Sequence, residues 1–535
     1  MSYIAPALNL AEQDSLRGNE AYAKRSWYVI DSRLVTTENS ARSGAFAGLT
    51  GALAMSAWFF VSRLIFGIPT PSEMFADASA PLIPVHLFGL LIGFAHGYTP
   101  LKIVGFASVV AGQLVVGALG GFLFVARAQR SPRFLATFAC GAWLVTAAVF
   151  WSVLLGNYRG RPASSAIVLT FASLAVGFAL FGVVTWWCAR APAADSPERP
   201  DRTRTSRATW IAGALTALVA AAGWQRLFAR ATFSYDGRVE IGPKVVELTP
   251  NERFYCVTKN FADPNVEASA WRLTVTGAVE RPMTLDLAAL TALPFVDQET
   301  TLMCINNDPG GGLMSNAIWR GVTLRALVSA AGPREGIVRA VLHAVDNYAD
   351  TISFDKAMEP TTLVAYHMNG VSLPAKHGFP VRMIVPGLFG EKSVKWLRSI
   401  ELVTAPVRGF YERQGWGPNF RIPTHSRFDA PDFTQPVRLG APIELRGVAF
   451  CGDRGVARVE VSDDDGHSWH DATFASHYAP LVWRLWRYAW RPARPGIYRL
   501  TVRATDAHGN VQNAADRSAE TEGATGYHRV VAHVV

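Results

Sequence analysis

The 535-residue sequence has few charged residues and few cysteines for its length. Asp, Glu, Lys and Arg make up 17% of the chain, against about 25% in ordinary soluble domains, and half of the residues are apolar. The five cysteines are scattered and form no CxxC or CxxCH, which excludes a disulfide framework, a zinc ribbon and c-type haem. GxGxxG, Walker and GxSxG motifs are absent, so the usual signals of nucleotide-binding and hydrolase folds are missing.

The length allows about three folded units, so the chain is expected to be multi-domain. The formal net charge is +9, but many arginines lie in short runs between apolar stretches, where they orient membrane helices. The charge is therefore weak support for a nucleic-acid partner, and none is expected.

Apolar stretches predict an N-terminal α-helical transmembrane domain, because about 20 apolar residues are needed to cross the hydrocarbon core. The first stretch contains Arg63 near its end, where a long side chain can snorkel. The stretch 81–96 is shorter and contains His86 and His96, so we expect it to be interfacial or re-entrant. The five predicted spans are 44–66, 103–126, 134–156, 163–188 and 208–224.

The basic loops predict the orientation of these spans, since short cytoplasmic loops collect Lys and Arg. With five spans, the tail 1–43 and the loops 127–133 and 189–207 are cytoplasmic, and everything after the last span is extracytoplasmic. Arg159 and Arg161, which follow the third span, argue mildly against this orientation. The expected location is a bacterial-type plasma membrane, crossed several times.

The second half has the composition of soluble domains. Short strand-like and helix-like runs predict an α+β domain at 229–430, preceded by the transmembrane domain at 44–228. Alternating apolar and polar residues then predict an Ig-like β-sandwich at 431–535, with a hairpin turn at Asp465-Gly466.

Cys304 is the candidate for metal chemistry. It follows the strand-like run ETTLM and precedes the turn-rich INNDPGGG, so its sulfur is expected at a strand end that a ligand can approach. The alternative is that Cys304 is a small buried apolar residue, which is the more common role of a lone cysteine.

The stretch from His377 to Trp396 alternates small residues with cations. Its glycines allow backbone contact, and Arg382, Lys392 and Lys395 are suited to offset the charge of an anionic cofactor. A solvated basic surface is the alternative interpretation of the same residues.

These segments resemble the sulfite oxidase family of molybdenum-cofactor enzymes over about residues 250–535. The motifs that carry the resemblance occur in the family's order: FYCVTKN, TLMCINN, WRGVTLRALVSAAG, LVAYHMNG, HGFPVRMIVPGLFGEKSVKW, WRLW and YHRV. The resemblance implies that Cys304 binds molybdenum beside the dithiolene of molybdopterin, since a thiolate is a soft ligand suited to such a metal. It also implies a sulfite-oxidase-type molybdopterin domain and a C-terminal dimerisation domain, hence a homodimer in which Trp483 and Trp486 are core or interface residues. The implied cofactor-binding residues are Thr258, Lys259, Asn260, Asp346, His377, Arg382, Ser393, Val394 and Lys395.

The sequence departs from the family where sulfite oxidases carry arginines around the anionic substrate. Those positions are Thr258, Pro309 and Glu520 here, and none is cationic, although Lys259 compensates in part. An uncharged S-oxide or N-oxide, or a protein-bound sulfoxide as in the related periplasmic methionine sulfoxide reductases, therefore fits better than sulfite.

The resemblance predicts a membrane-anchored oxidoreductase that transfers an oxygen atom to or from a small sulfur- or nitrogen-containing substrate. No cytochrome-like segment is evident, so we expect a separate electron-transfer partner, either a cytochrome or a quinone-linked protein. The alternative function is a non-catalytic, membrane-anchored binding or scaffold protein that retains the fold.

Overall fold

The structure is a computed structural model that describes residues 42–96, 98–126, 131–190, 202–231, 242 and 245–535. Nearly all of the predicted tail 1–43 and most of the basic loops 127–133 and 189–207 lie outside the described residues. The orientation inferred from those loops therefore stays a prediction.

The N-terminal half is helical, as predicted. Four of its helices, α1, α4, α5 and α6, are long and apolar enough to cross a membrane, judged by length and composition over the described residues. The ten-residue α3 is about 15 Å long and is too short to span, in keeping with the expectation for residues 81–96. The helices are α1 (Arg42–Phe66), α2 (Pro71–Ser79), α3 (Val85–Phe94), α4 (Tyr98–Ala126), α5 (Pro132–Val149), α6 (Ala163–Ala189) and α7 (Arg202–Phe228).

The predicted third span, 134–156, is longer than the helix that forms there. α5 ends at Val149, and a 3₁₀ turn follows at Trp151–Val153. The rest of the predicted span is a loop held by contacts outside the helices, since the Arg398 guanidinium donates to the Leu155 carbonyl at 2.6 Å and Asn157, the residue after the span, donates its N–H to the Val345 carbonyl at 2.9 Å. The apolar stretch extends past the end of α5, so the prediction overestimates the length of this helix.

The chain divides into two compact units that are interleaved in sequence. One comprises Met1–Phe60, Val109–Val149 and Ala172–Trp224, and the other comprises Val61–Ser108, Phe150–Phe171 and Gln225–Val535. The predicted domains are consecutive, and their boundaries after residues 43, 228 and 430 remain a proposal. The division shows that parts of the apolar half pack together with the soluble half.

Glycines bring α1 and α4 close together in the first unit. A Cβ added to Gly48 would lie 2.1 Å from the Gly117 carbonyl oxygen, and one added to Gly121 would lie 2.3 Å from the Gly44 oxygen. Both helices therefore carry a small-xxx-small pair, the pattern that lets backbones approach in membrane helices.

Between residues 273 and 414, two β-sheets and four short helices form the α+β domain that the sequence predicts. One sheet has the order β2-β1-β10-β5-β6, with β1 and β10 parallel, and a second runs β3-β4-β7-β8 with β9 paired to β7. The strands are β1 (Leu273–Gly277), β2 (Met283–Leu285), β3 (Val296–Met303), β4 (Met314–Thr323), β5 (Arg339–Ala344), β6 (Ala349–Ser353), β7 (Leu363–Met368), β8 (Val371–Ser372), β9 (Arg382–Ile384) and β10 (Leu397–Val403). The helices are α8 (Leu287–Thr291), α9 (Leu324–Ala331), α10 (Phe354–Met358) and α11 (Phe410–Gln414).

α9 shows how the local sequence builds this core. Its buried residues Leu324, Leu327, Val328 and Ala331 recur at helical spacing, so one face of the helix is apolar and packs inward. The helix ends at Gly332, whose φ of 68° is the left-handed conformation that favours glycine at a helix end.

The C-terminal region consists of two four-stranded antiparallel sheets, with the orders β11-β12-β16-β15 and β14-β13-β17-β18. Trp483 and Trp486 are buried, as expected for core residues, and the second shares one core with strands of both sheets. The predicted hairpin turn is present, since Asp465 and Gly466 both have positive φ between β13 and β14. The strands are β11 (His425–Ala430), β12 (Ile443–Phe450), β13 (Val456–Ser462), β14 (His470–Asp471), β15 (Thr473–Phe474), β16 (Arg484–Trp490), β17 (Gly496–Asp506) and β18 (His528–Val534).

Candidate functional site

Cys304 lies one residue beyond β3, where the chain turns back toward β4. Its N–H donates to the Leu313 carbonyl at 2.9 Å, and its own carbonyl accepts from the Asn307 N–H at 3.1 Å. Burial and the nearby Glu391 carboxyl raise the pKa of the thiol to about 12, although backbone N–H groups of the following residues hydrogen-bond the sulfur. The thiolate therefore needs a strong positive charge beside the sulfur, such as a bound metal ion.

A cavity beside Cys304 brings together nearly all of the residues predicted from the sequence. Asn260 is not part of the lining, but its side-chain amide donates to the Asp346 carboxylate at 2.7 Å. The predicted residues that line the cavity are Thr258, Lys259, Cys304, Asp346, His377, Arg382, Ser393, Val394 and Lys395. Their roles in binding a cofactor stay predictions, but the structure places them where such a role is possible.

Arg382 is fixed in the wall by backbone carbonyls. Its guanidinium donates to the carbonyls of His377 and Ser393, both at 3.0 Å, and lies over the Trp319 ring. Gly378 makes this arrangement possible, because it has a φ of 112° and a Cβ there would lie 3.1 Å from the Cβ of Arg382. The cation is held in place before any ligand binds.

His377 presents a neutral ring to the same cavity. Its Nε2 lies 2.8 Å from the Asn251 carbonyl oxygen and so carries the proton of this hydrogen bond. Burial, with the charge of Arg382 and other cations, holds the pKa of the imidazole well below its usual value. The ring therefore offers a polar edge without adding a charge.

Lys392 does not belong to this wall, although the sequence grouped it with Arg382 and Lys395. Its ammonium is 2% exposed and donates to the carboxylates of Asp350 at 2.7 Å and Glu412 at 2.9 Å. Burial would lower the pKa of Lys392, but the two carboxylates raise it. Lys392 is thus a buried structural cation and not a cofactor-binding one. The sequence could not indicate this, because its two carboxylate partners are distant along the chain.

Glu391 lines the cavity and has an unsatisfied oxygen. Its Oε1 is buried and has no hydrogen-bond partner among the described residues. Burial raises the pKa of its carboxyl to about 8. A ligand that brings an N–H or O–H donor would satisfy this oxygen.

Side chains from the N-terminal half hold the segment that follows Cys256. The Lys102 ammonium donates to the carbonyls of Thr258 at 2.6 Å and Asn260 at 2.9 Å. The Arg63 guanidinium donates to the Ala262 carbonyl at 2.7 Å and to the Glu73 carboxylate at 2.8 Å. Arg63 is 6% exposed, so the expectation that it snorkels was wrong: it is buried by this ion pair.

Lys259 is paired with a carboxylate from α2. Its ammonium forms an ion pair with Asp77 and donates to the Asp346 carbonyl at 2.9 Å. Burial raises the pKa of Asp77 to about 6, and Lys259 opposes that rise. Burial alone would lower the pKa of Lys259, but Asp77 and Asp346 raise it. Lys259 was expected to replace the missing arginines in part, but its positive charge is neutralised by Asp77.

Helix α3 and the start of α4 complete the cavity, which the sequence did not predict. Phe88 and Ile92 from α3 line it together with Tyr98, and the Phe88 and Tyr98 rings meet edge to face at 5.7 Å. The stretch 81–96 was expected to lie at the membrane surface, and nothing in its sequence indicated that Phe88 and Ile92 line a cavity. Other lining residues that were missed are Tyr255, Cys256, Asn306, Tyr348, Glu391, Tyr411 and Trp416.

The residues of the cavity fit a molybdenum cofactor. A soft sulfur ligand, a fixed guanidinium, a lysine ammonium and a serine hydroxyl line one cavity, and Glu391 supplies a buried acceptor that lacks a donor among the described residues. In the described ranges no three His, Cys, Asp or Glu side chains are grouped to hold a metal ion. A metal at Cys304 would thus take its other ligands from a cofactor.

Comparison with known proteins identifies the class. Residues 260–411 match the family model described as an oxidoreductase molybdopterin binding domain, and residues 420–535 match the one described as a Mo-co oxidoreductase dimerisation domain. The chain is therefore a molybdopterin-dependent oxidoreductase, with molybdenum held by molybdopterin as its cofactor.

Individual relatives narrow the assignment. Chicken (Gallus gallus) sulfite oxidase is 33% identical over 315 residues, which is 50% of this chain and 68% of that protein. Mitochondrial sulfite oxidase of Rattus norvegicus is 29% identical, and the match spans 57% of its length. A nitrate reductase [NADH] of Volvox carteri is 30% identical over 40% of this chain and 31% of that protein. The chain belongs to the sulfite oxidase family.

A solved structure also aligns with the chain. The sulfane dehydrogenase SoxCD from Paracoccus pantotrophus covers 55% of this chain and 85% of its own, at 20% identity and a TM-score of 0.49.

The buried ion cluster of Lys392 generates a stability prediction. Lys392→Met should destabilise the protein by about 3–5 kcal/mol, because it leaves the Asp350 carboxylate buried without its cation, while Glu412 keeps its pair with Arg339. Arg320→Met is the matched control: its pair with Asp297 is exposed and screened by water, so its loss should destabilise the protein far less. Denaturant unfolding measures both, and equal losses would contradict the account.

Proposed function

We propose that the protein is a membrane-anchored molybdenum enzyme that transfers an oxygen atom to or from a small, uncharged sulfur- or nitrogen-containing substrate. The observation that carries the proposal is the single cavity shared by Cys304, Arg382 and Lys395. A binding or scaffold protein would not need a thiol and anion-binding cations around one cavity. The catalytic alternative is therefore favoured over the non-catalytic one.

Roles follow from the chemistry of each side chain. Cys304 would bind molybdenum through its sulfur, and Arg382 and Lys395 would offset the phosphate of molybdopterin. The other proposed cofactor contacts are Thr258, Lys259, Asn260, Asp346, His377, Ser393 and Val394. The bound cofactor supplies oxo exchange with the substrate and a two-electron change at the metal. The protein positions the cofactor, excludes water and sets the charge of the pocket.

The substrate has to be inferred from the pocket, because relatives of similar identity are named for different substrates. One is a sulfite oxidase and another a nitrate reductase. Thr258 lines the cavity but donates its hydroxyl to the Asp263 carboxylate at 2.7 Å, and Lys259 is paired with Asp77. Pro309 and Glu520 are outside the described lining. An uncharged S-oxide or N-oxide is the better fit, since no unpaired cation is assigned to a substrate anion.

The membrane anchor is supported by apolar surface that the protein itself does not cover. In the most apolar windows of α4, α5 and α6, only 22%, 17% and 28% of the residues are buried. Leu90 and Phe94 of α3 are also 69% and 88% exposed. Soluble proteins rarely expose so much contiguous apolar surface, and lipid is the environment that suits it.

Contacts with the soluble half support five crossings. The loop after α5 donates from Asn157 to the Val345 carbonyl, and α2 reaches Lys259 through Asp77. Both connections must therefore lie on the side of the membrane that holds the soluble half. The chain reaches that side after α6 only if α7 also crosses, although α7 is not among the four helices selected by composition. We place this side outside the cytoplasm, because the loops 127–133 and 189–207 carry the arginines.

The matched dimerisation domain supports a homodimer that forms through the C-terminal sheets. We propose that the two C-terminal sheets of each chain pack as an Ig-like sandwich. Electrons would pass to or from a separate partner, a cytochrome or a quinone-linked protein.

Sidedness can be measured with single cysteines. Asp432→Cys places a thiol on the exposed surface before β12, and Ser131→Cys places one in the loop before α5. A membrane-impermeant maleimide added to intact spheroplasts should label the first variant, and the second only after lysis. The unsubstituted chain gives the background labelling. Labelling of Ser131→Cys alone in intact spheroplasts would reverse the proposed orientation.

Metal content tests the catalytic proposal. The full chain purified from a molybdenum-replete host should contain about one molybdenum per chain, and Cys304→Ser should lose turnover because the metal loses its thiolate. Cys451→Ser is the matched control, since Cys451 is also buried but lies in the core of the C-terminal sheets. Elemental analysis and turnover measure the result. Native protein without molybdenum or pterin would reject the proposal.

Substrate charge gives an independent prediction. Dimethyl sulfoxide or trimethylamine N-oxide, reduced with a dye donor, should be turned over with at least about tenfold higher kcat/KM than sulfite oxidised with a dye acceptor. The reason is that, of the cations in the described lining, Lys259 is paired with Asp77, while Arg382 and Lys395 are assigned to the cofactor. Sulfite oxidation of equal or greater efficiency would show that the charge argument is wrong.

A further inference from the structure

We propose that Asp77 is the specificity-determining residue that makes the cavity reject anionic substrates. The inference rests on the proposed function and adds to it a residue from the apolar half of the chain. Asp77 lies on α2, far in sequence from every motif shared with the sulfite oxidase family. Asp77 is not among the described lining residues of the cavity, but its carboxylate forms an ion pair with Lys259, which is.

The ion pair between Asp77 and Lys259 is buried and fixed in position. The side chains of Asp77 and Lys259 are 7% and 9% exposed, so water screens their interaction little. The second carboxylate oxygen of Asp77 lies 3.4 Å from the amide nitrogen of Asn347, which also donates to the Val153 carbonyl at 2.8 Å. The carboxylate is therefore held from two sides.

The position of α2 is fixed independently of Lys259. The helix begins with a capping box in which Thr70 and Glu73 exchange hydrogen bonds, and Pro71 occupies the first helical turn. Glu73 is also paired with Arg63, which donates to the Ala262 carbonyl. Substitution of Asp77 should leave this helix in place.

Lys259 would remain at the cavity without Asp77. Its ammonium donates to the Asp346 carbonyl at 2.9 Å, so a second contact holds it at the wall. The other lining cations, Arg382 and Lys395, lie in the stretch assigned to the cofactor. Lys259, although also a proposed cofactor contact, lies outside that stretch, and it is the lining cation whose charge Asp77 neutralises.

The test uses sulfate, an oxyanion that is not a substrate, and the full chain in detergent. Asp77→Asn should lower the sulfate dissociation constant at least about tenfold, because it frees a buried ammonium. The double variant Asp77→Asn with Lys259→Gln should return to the weak binding of the unsubstituted protein. Isothermal titration calorimetry at constant ionic strength gives the dissociation constants.

Glu267→Gln is the matched control. It also removes one carboxylate, from a 3.2 Å pair with Arg159 that is partly exposed and away from the cavity lining. Sulfate binding should not change in this variant. A gain in Glu267→Gln equal to that in Asp77→Asn would reduce the effect to net charge and overturn the proposal.

Folding and function are separated by two further readouts. Circular dichroism establishes that Asp77→Asn is folded, and Asp77→Ser supplies a second neutral variant. Unchanged sulfate affinity in a folded variant, or failure of both variants to fold, would assign Asp77 a purely structural role and overturn the proposal. Sulfate binding is measured on the cofactor-loaded chain and needs no turnover, so failure of the proposed oxygen-atom transfer would not conceal this result.

Discussion

A thiol buried at the end of a strand stays protonated unless a strong positive charge lies beside it, and this constraint governs the site. Cys304 is held by backbone hydrogen bonds between β3 and β4, and burial raises the pKa of its thiol to about 12. A thiolate there is costly in the protein alone, but a metal ion removes that cost by binding the sulfur. Arg382 and Lys395 would likewise offset the negative charge of the cofactor's phosphate.

The apolar half contributes to the site as well as to anchoring. Lys102 and Arg63 bind carbonyls of the segment that carries Thr258 and Ala262, while α3 supplies apolar lining. These contacts connect elements that the sequence assigned to separate domains. Cavity shape and charge therefore depend on residues outside the two matched family regions.

Local patterns predicted much of the fold. The buried face of α9, the Asp465-Gly466 turn and the strand before Cys304 follow from residues that are close in sequence. The stretch around Arg382 and Lys395 was predicted because its glycines and cations lie together along the chain. The end of α5 was not, since it depends on tertiary contacts of the loop that follows.

Long-range charge pairing accounts for the errors at the site. Lys392 looked like a phosphate-binding cation, but Asp350 and Glu412 approach it only in the folded chain. Lys259 likewise meets Asp77 across a separation of 182 residues. Neither partner follows a spacing rule, because ion pairs between distant elements are set by tertiary structure. The same holds for Phe88, whose place in the cavity depends on how α3 packs.

The ligation of the metal by Cys304 can be observed directly. X-ray absorption at the molybdenum edge of the purified chain counts the sulfur atoms bound to the metal. The account predicts one thiolate sulfur in addition to the pterin dithiolene, and a spectrum with one fewer sulfur neighbour in Cys304→Ser. An identical sulfur shell in the two proteins would contradict it.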